Sequence, residues 1–189
     1  YLTTIGRREG TNNPQVAGIA TPAGGGVWLA EEINHRISVY GAPGSPWVQA
    51  NVNGFVHPGN RDFYTMEEFQ GKLYAGTGVT SAMPGDVPRL YSSTNGHTWS
   101  GADPGLGLPY NYGVTDLEEF GGKLYGSTVQ FNWDTQTYSG AEVYRTANGT
   151  TWELSATGGF GHAENAQIGA LADFAGFLYA GTYGYGAVD

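Results

Sequence analysis

The chain has 189 residues and no cysteine, and its only lysines are Lys72 and Lys123. Without thiols there can be no disulfide and no thiolate metal site. Charged residues make up 13% of the chain, about half of the roughly 25% usual in soluble proteins. The net charge of −9 repels phosphate backbones and anionic bilayers, so neither nucleic-acid binding nor adhesion to acidic membranes is expected. No run approaches the ~20 apolar residues of a membrane span, and no membrane insertion is expected. No stretch carries the period of a helix of three or more turns. The chain opens on Tyr1 without a methionine or a signal-peptide pattern and reads as a processed chain or a fragment. Scarce lysine with abundant Tyr, Asn and Gly sets the expectation of an extracellular or periplasmic protein.

What is present is repetition. Phe69-Gln-Gly-Lys-Leu-Tyr-Ala-Gly-Thr77 returns as Phe120-Gly-Gly-Lys-Leu-Tyr-Gly-Ser-Thr128 and again as Phe174-Ala-Gly-Phe-Leu-Tyr-Ala-Gly-Thr182. A second phrase, Tyr91-Ser-Ser-Thr-Asn-Gly-His-Thr-Trp99, returns as Tyr144-Arg-Thr-Ala-Asn-Gly-Thr-Thr-Trp152. Asn13, Asn60, Asn111 and Asn165 mark the same point in each copy, about fifty residues apart. Strand-like phrases at that period predict an all-β fold, a single β-propeller domain of four-stranded antiparallel blades.

Each blade runs from strand a, next to a central channel, outwards to strand d. In the second repeat, 63–69 reads as strand a, 73–77 as strand b and 88–93 as strand c. Gln70-Gly71-Lys72 is a tight turn, and Asn95-Gly96 reads as a two-residue c–d hairpin with positive φ at both positions. The first copy is degenerate, with Val16, Ile19 and Pro22 at the places of Phe63, Met66 and Phe69. Those three apolar residues of strand a are spaced by three, which a regular strand cannot turn to one face. A bulge is therefore expected in strand a. The repeats fall at approximately 13–59, 60–110, 111–164 and 165–189, the last completed by 1–12, so that a strand near Tyr1–Ile5 closes a four-bladed ring. Two other arrangements fit the same repeats: a piece of a longer propeller, and two copies joined in a larger ring.

The phrase Ser92-x-Thr94-x-Gly96-x-Thr98-Trp99 resembles the Asp-box, the Ser-x-Asp-x-Gly-x-Thr-Trp hairpin of BNR-like, sialidase-type propellers. Gly96, Thr98 and Trp99 match it, as do Gly149, Thr151 and Trp152, while Thr94 and Ala147 stand at the Asp position, so the boxes are degenerate. The resemblance implies a propeller fold and a structural role for the c–d turns, on the face away from that family's active sites. It does not carry over the activity. A sialidase needs an arginine triad to grip a carboxylate, and no family motif surrounds the arginines at 7, 8, 36, 61, 89 and 145.

Ligands of propellers commonly sit where the d–a and b–c loops share a face. His57, Asn60, Arg61, Tyr110, Asn111, Tyr112, His162 and Asn165 are placed there, joined by Arg36, Trp133, Tyr183 and Tyr185 from the b–c loops. The repeated Asn has two readings, a ring of amides for sugar hydroxyls or a residue that closes a turn on its own backbone. His57 and His162 share a repeat position; two imidazoles with Glu164 could ligate a metal, but no third ligand is evident, and neither a metal nor a cofactor is expected. Glu67-Glu68 and Glu118-Glu119 are paired carboxylates of the kind glycoside hydrolysis uses. They recur with the repeat, though, and are expected to be neutralised by Lys72 and Lys123. Tyr74, Tyr125, Tyr179 and Trp28 in strand b, and Trp99, Trp152 and Trp47 in strand d, read as packing residues between blades. Trp133 is distinct, because it lies in the one long insertion beside Asn, Asp and Gln, where an indole can stack on a sugar or simply pack the loop.

The expected function is a non-catalytic binding module that holds a glycan or a protein partner on this loop face. Its ligand contacts would be Trp133, Asn60, Asn111, Asn165, Tyr112, His162, Tyr183 and Tyr185. The alternatives are a carbohydrate-active enzyme, a glycosidase or lyase, with Asp116, Arg61 and His57 near the channel, and a structural subunit of an extracellular assembly that self-associates.

Overall fold

A computed structural model of the chain describes residues 16–20, 27–31, 36–41, 46, 48–57, 59–79, 89–102, 106, 110–132 and 134–184. The strand expected near Tyr1–Ile5, Asn13, Trp47, Trp133, Tyr185 and Ala187-Val188 lie outside the described residues, as do the side chains of Trp28, Arg36 and Arg61.

The described fold is all-β and antiparallel, in repeated units. The first unit is the sheet β1 (Val16–Ala20), β2 (Val27–Glu31), β3 (Arg36–Tyr40) and β4 (Val48–Gln49), paired in that order. The second is β5 (Asn60–Phe69), β6 (Lys72–Val79), β7 (Leu90–Ser93) and β8 (Ser100–Gly101), again paired in sequence order. The third consists of β9 (Asn111–Phe120), β10 (Lys123–Asn132), β12 (Val143–Thr146) and β13 (Trp152–Ala156). A short β11 (Thr137–Tyr138) pairs on the far end of β10. The fourth is the hairpin of β14 (Gln167–Phe174) and β15 (Phe177–Tyr183). Single bridging pairs, Gly78 with Gly113 and Val129 with Gln167, join the last three units into one eleven-stranded sheet.

The inner strand of each unit is bulged. Pairing skips a residue at Ala17 in β1, Tyr64 in β5, Thr115 in β9 and Gly169 in β14. The extra residue puts Phe63 and Met66 on one face, against the first unit, while regular pairing from Met66 onwards turns Phe69 to the opposite face, where the third unit buries it. The bulge in β1, between Val16 and Gly18, falls at the same place in its strand as those of the other units.

Two kinds of turn join the strands, and one differs from expectation. The type I′ geometry, positive φ at both central residues, belongs to the a–b hairpins: Gln70-Gly71, Gly121-Gly122 and Ala175-Gly176. At the c–d connection only Gly96 and Gly149 have positive φ, and the loop is longer than two residues. Side chains shape it instead. The Ser93 hydroxyl accepts the Gly96 N–H (2.8 Å), and the Asn95 carbonyl accepts the N–H groups of His97 (2.9 Å) and Thr98 (2.8 Å). Thr146 and Asn148 do the same for Gly149 (2.9 Å), Thr150 (2.9 Å) and Thr151 (2.8 Å). Side-chain acceptors replace the backbone pairing that an Asn-Gly hairpin would have used.

The core lies between units rather than within them. Ile37 and Ala50 of the first unit meet Phe63, Met66 and Leu73 of the second. Phe69, Tyr74 and Leu90 of the second meet Val114, Leu117 and Leu124 of the third. Ala141, Val143 and the half-buried Tyr125 of the third meet Ile168 and Leu171 of the fourth. The inner strands β1, β5, β9 and β14 accordingly pack in a row. No helix among the described residues is long and apolar enough to cross a membrane.

Close approach between units depends on small residues. A Cβ on Gly76 would lie 2.5 Å from the Val114 carbonyl oxygen and 2.7 Å from Thr65 Cγ2. Gly76→Ala should therefore destabilise the protein by about 2 kcal/mol through overpacking, read as a lower urea midpoint. An unchanged midpoint would mean that the second and third units can separate freely at this seam.

Candidate functional site

The repeated asparagine stands at the entry to β5, β9 and β14. Asn60 and Asn111 are buried, and Asn165 is half-buried. Asn60 Nδ2 donates to the Gly54 carbonyl (3.2 Å) and to the Tyr91 hydroxyl (2.6 Å), and Thr77 donates to its Oδ1 (3.4 Å). Asn111 Nδ2 donates to the Leu106 carbonyl, and its Oδ1 accepts the Gly113 N–H (2.8 Å). Asn165 Nδ2 donates to the Gly159 carbonyl (3.0 Å). The loops before β5 and β14 contain runs of left-handed residues, Gly54 to Val56 and Gly158 to Gly161. Such a run turns a carbonyl inwards, and the Asn amide satisfies it. The amides of Asn60 and Asn111 thus face the protein interior and close turns.

The d–a and b–c loops do share a face. Phe131 N–H donates to the Tyr110 carbonyl and Gln130 N–H to the Ala166 carbonyl, both at 2.9 Å. The loop leading into β14 is clamped on this face. Gly159 N–H donates to the Ala141 carbonyl (3.0 Å), and Ala141 N–H donates to the Asn165 carbonyl (2.8 Å). The Glu142 carboxylate accepts hydrogen bonds from Gln130 Nε2 (3.0 Å), the Tyr144 hydroxyl (2.6 Å) and the Thr157 hydroxyl (3.3 Å).

On that clamped loop, exposed His162 and Glu164 lie within hydrogen-bond distance, Nδ1 to Oε1 at 3.2 Å. The end of β15 runs alongside, since a Cβ on Gly184 would lie 3.5 Å from the Glu164 carbonyl oxygen. The preceding Tyr183 has an exposed ring. His57, at the equivalent place before β5, is half-buried with its ring 6.5 Å from that of Tyr91. Tyr112 is half-buried in β9. Sequence reasoning placed His162 and Tyr183 on one face, but gave Glu164 only a possible metal role. Their adjacency depends on how the chain returns through β15.

The carboxylates of the inner strands behave differently from expectation. Asp116 accepts three hydrogen bonds, from Thr65 Oγ1 (2.9 Å) and the Leu117 N–H (3.0 Å) at Oδ1, and from the Leu171 N–H (2.6 Å) at Oδ2. Burial raises its pKa, and these three donors oppose the rise. Glu118 accepts the Asp173 N–H (3.1 Å). Lys123 does not neutralise Glu118 or Glu119 but reaches out to Glu153 (3.6 Å), which Arg145 also holds (2.7 Å). Glu67 is pushed up to about 7, first by burial and then by Glu118, Glu119, Asp116 and Glu68. Among the described residues no cluster of three His, Asp or Glu is set to hold a metal ion.

No protein-family model and no curated protein matches the chain. Among solved structures it is similar to the crystal structure of an endo-arabinase from Bacteroides thetaiotaomicron, with a TM-score of 0.50 and 14% identity. The match takes in 87% of this chain and 62% of that one, so the chain spans less than two thirds of the enzyme's length. At this identity the likeness bears on fold alone.

Glu67 ties folding to pH. Its pKa is about 7 in the folded chain against 4.5 for an unperturbed glutamate, so the folded state binds the proton more tightly. The stability from that proton is complete below pH 4.5 and is lost as pH rises through about 7. Glu67→Gln should remove this fall and stabilise the protein at alkaline pH by on the order of 1 kcal/mol, after allowance for solvent screening of a half-exposed group. Urea unfolding across the pH range reads the effect; an unaltered slope in the variant would show that Glu67 ionises normally.

Proposed function

We propose that the chain is a run of β-propeller blades that binds carbohydrate on its d–a and b–c loop face without reacting with it. The observation that carries this reading is the exposed His162–Glu164 pair, on a loop fixed by backbone bonds and flanked by the end of β15 with its exposed Tyr183. An imidazole and a carboxylate supply a donor and acceptors for sugar hydroxyls, and the phenol ring supplies a face for sugar C–H groups. A rigid loop loses little entropy when a ligand is held. The sequential four-stranded units and the fold likeness to an endo-arabinase support blades of a propeller and favour a glycan over a protein ligand. The site needs no cofactor, and a polysaccharide ligand fits an extracellular or periplasmic setting.

Calorimetric titration with arabinan and a panel of other polysaccharides tests the reading. Tyr183→Ala and His162→Ala should each weaken binding by about tenfold while leaving the melting temperature unchanged. If no polysaccharide binds but a protein partner does, the face is a protein-docking site.

Glu67 favours one second reading, a glycosidase. A carboxyl that holds its proton near neutral pH beside other carboxylates has the character of a general acid next to a nucleophile or base. Reducing sugar released by the wild type and lost in Glu67→Gln, but retained in His162→Ala, would establish it. Absence of turnover on the whole panel would remove it.

A further inference from the structure

The residue that each inner strand leaves unpaired at its bulge is Ala17 in β1, Tyr64 in β5, Thr115 in β9 and Gly169 in β14. Three are small and one is aromatic. Thr115 serves the scaffold: it is buried, and its hydroxyl donates to the Ile168 carbonyl of the next unit. Tyr64 is half-exposed, and its hydroxyl donates to Asp62 Oδ2 on its own strand (3.3 Å). The seam beside it is altered to match. Gly78 and Gly113 bridge the second and third units, where Val129 and Gln167 bridge the third and fourth. A Cβ on Gly78 would lie 2.6 Å from Tyr64 Cε2 and 2.8 Å from its Oη, and a Cβ on Gly113 would lie 2.9 Å from Cε2. Side chains are thus absent from both strands of the seam at the point where the phenol ring lies. Repetition explains none of this, because Asp62, Tyr64, Gly78 and Gly113 each differ from their counterparts in the following unit, Gly113, Thr115, Val129 and Gln167.

We propose that Tyr64 and Asp62 form a subsite for one neutral sugar residue at the seam between the second and third units; this rests on the reading of the chain as carbohydrate-binding. The glycine pair lets the ring sit directly on backbone, which holds it from one side and leaves the rest of a half-exposed ring for a ligand. A flat aromatic surface takes the C–H face of a sugar, and a carboxylate at its edge accepts the sugar hydroxyls. A ring seated on close-packed backbone has little freedom left to lose when the sugar is held. Asn111 fixes the floor of the subsite, since its Oδ1 accepts the Gly113 N–H (2.8 Å). The asparagine that closes the turn before β9 therefore also sets the backbone on which Tyr64 rests. Charge selects the ligand. Asp62 belongs to a chain of net charge −9, and Glu67 and Asp116 follow on the same two inner strands, so an acidic sugar is repelled.

Fluorine NMR of the protein labelled with 3-fluorotyrosine, titrated with neutral oligosaccharides of arabinose, xylose, galactose and glucose, tests the proposal. The resonance that disappears in Tyr64→Phe identifies this ring among the 13 tyrosines. The expected result is that this resonance shifts with at least one of the oligosaccharides, and that Tyr64→Ala weakens the same binding by at least about tenfold in calorimetry. The shift is read on the unaltered fold, so it stands even where Tyr64→Ala lowers the melting temperature. An oligosaccharide that binds and depends on His162 while the Tyr64 resonance stays still overturns the subsite and leaves the loop-face reading standing. A Tyr64 resonance that moves while His162→Ala binds normally supports the subsite and removes His162 from the site. Failure of every neutral oligosaccharide to bind overturns both. Tighter binding of oligogalacturonate than of the neutral sugars overturns the proposal by reversing the ligand class.

Discussion

The Asp116 carboxylate draws three inner strands together. It takes a hydroxyl from Thr65 on β5, an amide from its own strand at Leu117 and an amide from Leu171 on β14. Backbone repetition alone would make the units interchangeable. The side chains at this position, Thr65, Asp116 and Ala170, do not repeat, and they fix the order of the second, third and fourth units. A carboxylate moved from water into the protein must recover its hydrogen bonds, and it does so here only when all three strands are in place. That requirement couples local strand pairing to the packing of units, and it commits both Asp116 oxygens to the scaffold.

The same crowding sets up an opposing force. Bringing β5 beside β9 gathers Glu68, Asp116, Glu118 and Glu119 around Glu67, and the lysine that follows β9's turn points to Glu153 instead. Glu67 responds by holding its proton towards neutral pH. The row of units is therefore held by apolar contact and directed hydrogen bonds against a carboxylate repulsion that rises with pH. This tension sits at the a–b turn end of the strands. The loop at the opposite end is clamped by backbone bonds and by Glu142, and is left exposed only at its polar and aromatic tips. Scaffold chemistry and candidate binding chemistry are thus separated along the length of the unit.

Much of the fold was legible because a repeat is a strong local signal. The three-residue spacing pointed to a bulge, and one is present in every inner strand; it aligns Phe63 with Met66, whereas Phe69 turns to the opposite face and packs on the next unit. The Asn-Gly phrases marked the right connection with the wrong geometry. A two-residue hairpin depends on backbone φ alone, whereas Ser93 and Asn95, or Thr146 and Asn148, offer side-chain acceptors that stabilise a longer loop. The glutamate pairs were read against the nearest lysines along the chain. In the folded protein their neighbours come from the adjacent strand, and charges meet across strands rather than along them.

From the sequence alone follow the all-β class, the unit of repetition, and the alternation of strand and turn. These depend on interactions between residues close in the chain. The tertiary structure decided which of the ring pairs Phe69–Tyr74, Phe120–Tyr125 and Phe174–Tyr179 is buried, which carboxylates crowd, and which histidine of an equivalent pair is exposed beside Glu164. Each of those outcomes is set by the neighbouring unit, and a repeated phrase carries no record of what lies against it.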